Sequence, residues 1–277
     1  MKVIKNEYIA DTQNIRLGKI VISAPEIARK AQPGQFVVVM VKEEGERIPL
    51  TVVDASDGKI TLIYQEAGFS TRLLGTVKTG ADLYAVAGPL GHATEMKNYG
   101  KVVVVGGGVG IAEIYPVAKK LKLSGNTVEV IVGARNKDLL FLTEELKPCV
   151  DVLHICTDDG TAGRKGFTTD ILKELLDKGD VNLVYAVGPL PMMQRAGDVT
   201  KPYNVKTLVS LNTLMLDATG MCGVCRVTID GKVKFACVDG PEFDAHLVDW
   251  SELGKRNRMY IDKEKHICNI MKATVSA

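Results

Sequence analysis

The chain has 277 residues, 46% of them hydrophobic and 25% charged, with a formal net charge of +2. That length suffices for two domains and a small third module, and the near-neutral balance argues against nucleic acid as the main partner, because phosphate recognition leaves a basic stripe. No apolar run reaches the roughly 18–20 residues of a membrane span, the alternating N-terminus lacks a secretory apolar region, and six cysteines in a chain of this size do not suggest a disulfide scaffold, so a cytoplasmic protein with no membrane partner is expected.

Residues 1–97 read as β-rich. Ile4–Ile9, Ile15–Ile22, Gln35–Val41, Ile48–Val53 and Ile60–Gln65 are short, β-branched and roughly alternating, with Gly and Pro between them. This spacing predicts a small antiparallel barrel, with Thr71–Val77 as its one helix. At Lys101 the pattern changes. Val102–Val105 is a continuous apolar run of strand length, followed by a glycine turn and by Ile111–Leu123 at helical spacing. Strands are predicted at Val128–Val132, Val152–Thr157 and Leu183–Val187, and helices at Leu139–Leu146 and Thr169–Lys178. Such alternation predicts a doubly wound parallel α/β sheet over residues 98–215. Residues 216–277 form a third segment with a hairpin (Cys225–Ile229, Lys232–Val238) and a helical tail.

That third segment holds Asp217, Cys222, Cys225 and Cys237 in the pattern D-x4-C-x2-C-x11-C. A plant-type [2Fe–2S] site uses C-x4-C-x2-C and a distant fourth cysteine. Here three thiolates fall in register and a carboxylate, also an anionic donor, takes the first place. Gly220 and Gly223 let loop N–H groups turn toward the sulfurs. Other readings of the same residues are a zinc site, for which C-x2-C is also common, buried structural thiols, or Asp217 as a turn or cap residue. Cys149, Cys156 and Cys268 lie outside the register among apolar neighbours and read as packing residues.

The turn after the Val102–Val105 strand, Gly106-Gly107-Gly108-Val109-Gly110, offers backbone N–H groups and a helix N-terminus to a pyrophosphate. It departs from G-x-G-x-x-G at its sixth position, Ile111, and the next strand ends in Gly133-Ala134-Arg135 without an acidic ribose clamp. Glu129, in mid-strand, reads as structural. Two further strand ends belong on the same sheet edge: Asp158-Asp159-Gly160, read either as carboxylates that accept from ribose or amide groups or as a solvated turn, and Gly188-Pro189, read either as a ligand-side segment or as a plain Gly-Pro turn. The four histidines make no recognisable metal constellation, and no acid–base dyad stands out.

The order of these parts, a barrel, a GGGVGIA loop, VGPLPMM and a C-terminal cysteine cluster, resembles the ferredoxin–NADP reductase superfamily over essentially the whole chain. Within it the chain resembles the branch of dihydroorotate dehydrogenase electron-transfer subunits, sulfide dehydrogenase-like proteins and the small subunits of electron-bifurcating NADH-dependent reduced ferredoxin:NADP oxidoreductases. The segment LDATGMCGVCRVTIDGKVKFACVDGPEFDAHLVDW is similar to the last of these, whose cluster is held by one Asp and three Cys. The dihydroorotate relatives normally have four cysteines, and Asp217 departs from that. The resemblance implies FAD, [2Fe–2S] and NAD(H) as cofactors. It also implies a larger flavin and iron–sulfur partner subunit that uses NADPH and ferredoxin. Arg47-Ile48-Pro49-Leu50-Thr51 looks like the family's flavin segment. Arg47 would neutralise pyrophosphate, Pro49 and Leu50 would line the site, and Thr51 would hydrogen-bond near the reactive flavin edge. Ile63, Tyr64 and Gln65 would run along the ring or ribityl chain, and Gly68, Ser70 and Thr71 would open a helix toward the phosphates. Gly107, Gly108, Val109, Gly110, Asp158, Asp159, Gly188 and Pro189 would take the nicotinamide nucleotide.

Overall fold

The computed structural model describes residues 1–267. Cys268 lies outside them. The chain opens as an antiparallel pair, β1 (Val3–Asp11) and β2 (Arg16–Ser23). A short helix not expected from the pattern follows, α1 (Pro25–Lys30), with proline in its first turn, where a missing N–H leaves no bond unmade. Next come β3 (Phe36–Met40), β4 (Ile48–Thr51), β5 (Asp54–Ser56), β6 (Lys59–Gln65), α2 (Phe69–Gly75) and β7 (Ala85–Leu90). The strands form two antiparallel sheets, β1-β2-β6-β5 and β4-β3-β7, which pack on one core that includes Val3, Ile20, Ile22, Val37, Val39 and Leu62. α2 begins two residues ahead of the expected Thr71. Thr71 Oγ1 accepts from the Ala67 and Gly68 N–H groups and so caps the helix from inside its first turn.

The second part runs β8 (Lys101–Gly107), a 3₁₀ turn over Gly108–Gly110, α3 (Ile111–Leu123), β9 (Thr127–Ala134), α4 (Thr143–Leu146), β10 (Val152–Thr157), β11 (Arg164–Lys165), α5 (Thr168–Asp177), β12 (Val181–Val187), α6 (Leu190–Thr200) and β13 (Lys206–Ser210). Alternate residues of β8 serve opposite faces. Val102 and Val104 pack in a core with Ile111, Ile114, Val117 and Leu121 of α3, while Val103 and Val105 pack in another with Leu172 of α5 and Met193 of α6. Helices therefore cover both faces, as the doubly wound reading requires. The helix expected over Leu139–Leu146 is reduced to Thr143–Leu146. Leu142 has a left-handed φ of 56°, which a continuous α-helix cannot contain.

The last part is a hairpin, β14 (Arg226–Ile229) with β15 (Lys232–Phe235), then α7 (Ala236–Asp239), β16 (Glu242–Asp244) and α8 (Trp250–Arg256). The second hairpin strand ends at Phe235, short of the expected Val238, so Cys237 sits on α7. β16 then joins the large sheet, whose order is β11-β10-β9-β8-β12-β13-β16, and runs antiparallel to β13. The cysteine-bearing segment is thus bonded to the α/β sheet through its backbone. Among the described residues no helix is long and apolar enough to cross a membrane.

Candidate functional site

The cysteine loop is built around a carboxylate. Asp217 Oδ1 accepts from the Thr219 N–H at 2.9 Å and from its hydroxyl at 2.7 Å, and Oδ2 accepts from the Cys222 N–H at 3.1 Å. These bonds hold the Asp217 carboxyl below the usual carboxylate range, with the Thr219 hydroxyl the largest influence. Ala218, Gly220 and Gly223 all have positive φ, which curls the loop. Beneath it the sulfurs of Cys225 and Cys237, both buried and both free thiols, lie 3.2 Å apart. Burial, together with the Cys225 sulfur beside it, drives the Cys237 thiol up to about 12, while the Gly220 N–H bonded to it acts in the opposite sense. Cys222 stands exposed at the rim. Among the described residues, no three His, Cys, Asp or Glu side chains converge on a single ion position.

The donor set fits an iron–sulfur cluster chemically. Two thiols held in contact, a backbone N–H directed at one sulfur, and a loop that supplies a third thiol and a carboxylate are what an anionic cluster needs. Bound iron would supply the positive charge that offsets the burial raising the Cys237 thiol. Of the cysteines outside the register, Cys156 is buried in the core, and burial raises its thiol to about 11, in keeping with a packing role.

The glycine turn is shaped by close packing. A Cβ on Gly110 would stand 2.5 Å from the Val187 carbonyl oxygen, and one on Gly188 would stand 3.0 Å from the Gly107 carbonyl oxygen. The Gly107–Gly110 and Gly188–Pro189 segments therefore abut directly at the strand ends of β8 and β12. Gly108 has φ of +54° with open space where a Cβ would point, and Val109 is exposed. Asp158 and Asp159 stand further along the same edge. Both are exposed, and Asp159 is engaged by the Thr161 N–H and hydroxyl.

On the β-rich part, Arg47 is exposed, and Pro49, Leu50 and Thr51 are partly exposed along β4. Ser70 donates to the Glu46 carboxylate, which joins α2 to the segment before β4. Tyr64 turns the other way. Its ring is buried in the sheet core against Gly18, and its hydroxyl donates to Asn6 Oδ1 at 3.0 Å. Ile63 packs with the core beneath α3. Any ligand contact from Ile63 and Tyr64 is consequently left to their backbone. A groove lined by Pro33, Val52, Asp54, Tyr115, Lys119 and Leu123 shares none of the expected site residues.

Thr51 is where the two large parts meet. Its hydroxyl donates to Glu113 Oε2 at 3.1 Å, in the first turn of α3 directly behind the glycine turn. Burial raises the Glu113 carboxyl to about 7, with the charge of Glu242 acting in the same direction, while hydrogen bonds from Ser210, Thr51 and Tyr185 act against it. Glu113 was not singled out by sequence. The only signal was an acid one place off the apolar stripe of Ile111, Ile114, Val117 and Leu121, just after a ligand-type turn.

Residues 212–249 match the family model described as the iron–sulfur cluster binding domain of dihydroorotate dehydrogenase B. A Thermotoga maritima protein named dihydroorotate dehydrogenase B (NAD(+)), electron transfer subunit homolog is 47% identical over 246 residues, covering 88% of this chain and 87% of that one. This chain belongs to the family of dihydroorotate dehydrogenase B-type electron-transfer subunits. It is therefore an oxidoreductase subunit. A solved structure reported for insights into flavin-based electron bifurcation, that of NADH-dependent reduced ferredoxin-NADP oxidoreductase, contains a chain 43% identical, with a TM-score of 0.91 and coverage of 98% of this chain and 97% of that one. Ferredoxin-NADP+ reductase from Plasmodium falciparum, 13% identical with a TM-score of 0.61 over 75% of this chain and 94% of its own, shares the fold.

Proposed function

We propose that this chain carries FAD and a [2Fe–2S] cluster, exchanges hydride with NAD(H), and passes single electrons to or from a larger partner subunit. The observation that carries this reading is the buried, unbridged sulfur pair of Cys225 and Cys237 under the Asp217 loop. Asp217, Cys222, Cys225 and Cys237 would hold the cluster. Arg47, Pro49, Leu50 and Thr51, the backbone of Ile63–Gln65, and Gly68, Ser70 and Thr71 would hold the flavin. Gly107–Gly110, Asp158, Asp159, Gly188 and Pro189 would hold the nicotinamide nucleotide. A bound flavin supplies the conversion between two-electron hydride chemistry and one-electron transfer.

The protein's own part is orientation and charge. Arg47 offers a cation to a pyrophosphate, and the close packing of Gly110 on Val187 brings backbone N–H groups near enough to a second one. Thr51, held by Glu113, presents a hydroxyl at the junction of the flavin and nucleotide regions. We assign residues 1–97 to flavin, 98–215 to nucleotide and 216–277 to the cluster, and the setting to the cytoplasm.

The partner in this reading is a larger flavin and iron–sulfur subunit that uses NADPH and ferredoxin, and the pair bifurcates electrons. The match to the bifurcating enzyme's chain over nearly its whole length supports it. A second reading, service to a dihydroorotate dehydrogenase, is favoured by the family match at residues 212–249. Asp217 in the first ligand place tells against that reading. The test is anaerobic addition of NADH to the purified native complex. Bleaching of the flavin and appearance of a reduced-cluster EPR signal are expected. Turnover with ferredoxin and NADPH, and none with dihydroorotate, selects bifurcation. If neither NADH nor NADPH bleaches a flavin, the proposal fails.

A further inference from the structure

Glu113 and Glu242 are far apart in sequence and meet across one tyrosine. Tyr185 on β12 is fully buried, and its hydroxyl lies 2.8 Å from Glu242 Oε1 and 3.3 Å from Glu113 Oε1. The buried Thr94 hydroxyl donates to Glu242, and Thr51 donates to the far oxygen of Glu113. The result is an unbroken chain, Thr51–Glu113–Tyr185–Glu242–Thr94, running from β4 to β16 through the sheet that bears the glycine turn. Among the described residues Tyr99 also lies within electrostatic reach of Glu242. Among the described residues no lysine, arginine or histidine neutralises either carboxyl.

Two carboxylates without a cation, joined by one hydroxyl, cannot both ionise easily. The hydrogen count agrees with a single added proton. Thr51 and Ser210 each donate their one hydroxyl hydrogen to Glu113, and Thr94 and Tyr185 each donate theirs to Glu242. That leaves the Glu113–Tyr185 link without a donor unless Glu113 itself is protonated. We propose that Glu113 and Glu242 share one exchangeable proton across Tyr185, and that Thr51 passes it to or from the cofactor docked against its hydroxyl. The shared proton depends on the chain alone, whereas its use rests on the flavin reading above. A hydride from NADH carries two electrons and one proton. An iron–sulfur acceptor takes the two electrons singly, so one proton is left over for each pair. In the outward direction the pair, having released its proton to solvent at the partly exposed Glu113, accepts the one left by the electron pair, and in the reverse direction it takes a proton from solvent and returns it. Burial raises both carboxyls, Glu113 to about 7, so that this exchange falls near neutrality. Glu113 and Glu242 act through Thr51 and are positioning residues.

The experiment uses the full-length protein with ¹³C-labelled glutamate. Its infrared spectrum is followed through a pH titration, with and without flavin. A protonated-carboxyl band persisting above the ordinary glutamate range and titrating near neutrality is expected. Glu113→Gln should remove it, and Glu242→Gln should shift its midpoint downward. Absence of the band in the unmutated protein, which needs no variant to fold, overturns the proposal, as does a Glu242→Gln midpoint that stays in place. In flavin-loaded protein, Glu113→Gln should slow electron egress to a one-electron acceptor about tenfold or more relative to hydride entry from NADH. Equal slowing of both half-reactions refutes the relay while leaving the flavin assignment intact. Failure to bind flavin sinks that assignment, and the titration still decides the shared proton.

Discussion

Replacing Glu113 by Gln should change how stability depends on pH, and the size can be worked out. Folding raises this carboxyl from its ordinary 4.5 to about 7, chiefly by desolvation. Between those values the native state holds a proton that the unfolded chain has released, so stability falls as pH rises. The contribution is fully present below about 4.5 and is lost by the time pH passes 7. At ~1.4 kcal/mol per pKa unit the swing is at most about 3 kcal/mol, since Glu113 keeps some surface open to water. Gln matches protonated Glu in shape and cannot ionise. The variant should therefore melt close to the parent at pH 4.5–5 and up to about 5 °C above it at pH 8, using typical unfolding entropies for a chain of this length. The assay is paired thermal melts of the flavin-free full-length proteins across that range under reducing, anaerobic conditions. A melting difference between the two proteins that does not change with pH would falsify the desolvated-acid account of this position.

Other substitutions test other parts. Asp217→Ala removes three hydrogen bonds from the cysteine loop and should cut iron content sharply, whereas Asp217→Cys should keep the cluster and shift its potential in a redox titration. Gly110→Ala forces a Cβ to within 2.5 Å of the Val187 carbonyl oxygen, and a destabilisation of about 1–3 kcal/mol with weakened NADH binding is expected by denaturant melts and fluorescence titration. Asp249→Ala deletes the cap of α8, whose carboxylate accepts from the Glu252 N–H at 2.9 Å. It should cost about 1 kcal/mol in the same melts and leave the visible spectrum alone.

The parts of this molecule that could be read from sequence are those whose signals are local and repeated. The strand–glycine turn–helix over Lys101–Leu123 was readable because β8 is buried on both faces and α3 keeps one apolar stripe. The alternation of Ile20, Ile22, Ile60 and Leu62 likewise announced β2 and β6. α1 was not readable because it is six residues long and buries one side chain fully, Ile27. β16 is three residues long, too short to show a period, yet it ties the cysteine segment to the large sheet. The helix expected over Leu139–Leu146 looked continuous by composition, and a single left-handed residue, Leu142, breaks it. At the site, the ligand spacing of Asp217, Cys222, Cys225 and Cys237 is a sequence property. The Thr51–Glu113–Tyr185–Glu242–Thr94 chain is not. Its members are spread from position 51 to position 242, and only the packing of β4, α3, β12, β16 and the segment between β7 and β8 assembles them. Tyr64 shows the reverse case, in which a residue attractive in a motif turns into the core, where its ring packs against Gly18.

The central claim is that this chain anchors iron and sulfide through one carboxylate and three thiolates. Iron, acid-labile sulfide and zinc should be quantified on protein prepared without oxygen, with EPR after reduction by NADH. The account predicts iron and sulfide in equal amounts, about two of each per chain, and an EPR signal altered by Asp217→Cys. Protein holding zinc with no sulfide, or an EPR signal indifferent to residue 217, would contradict it.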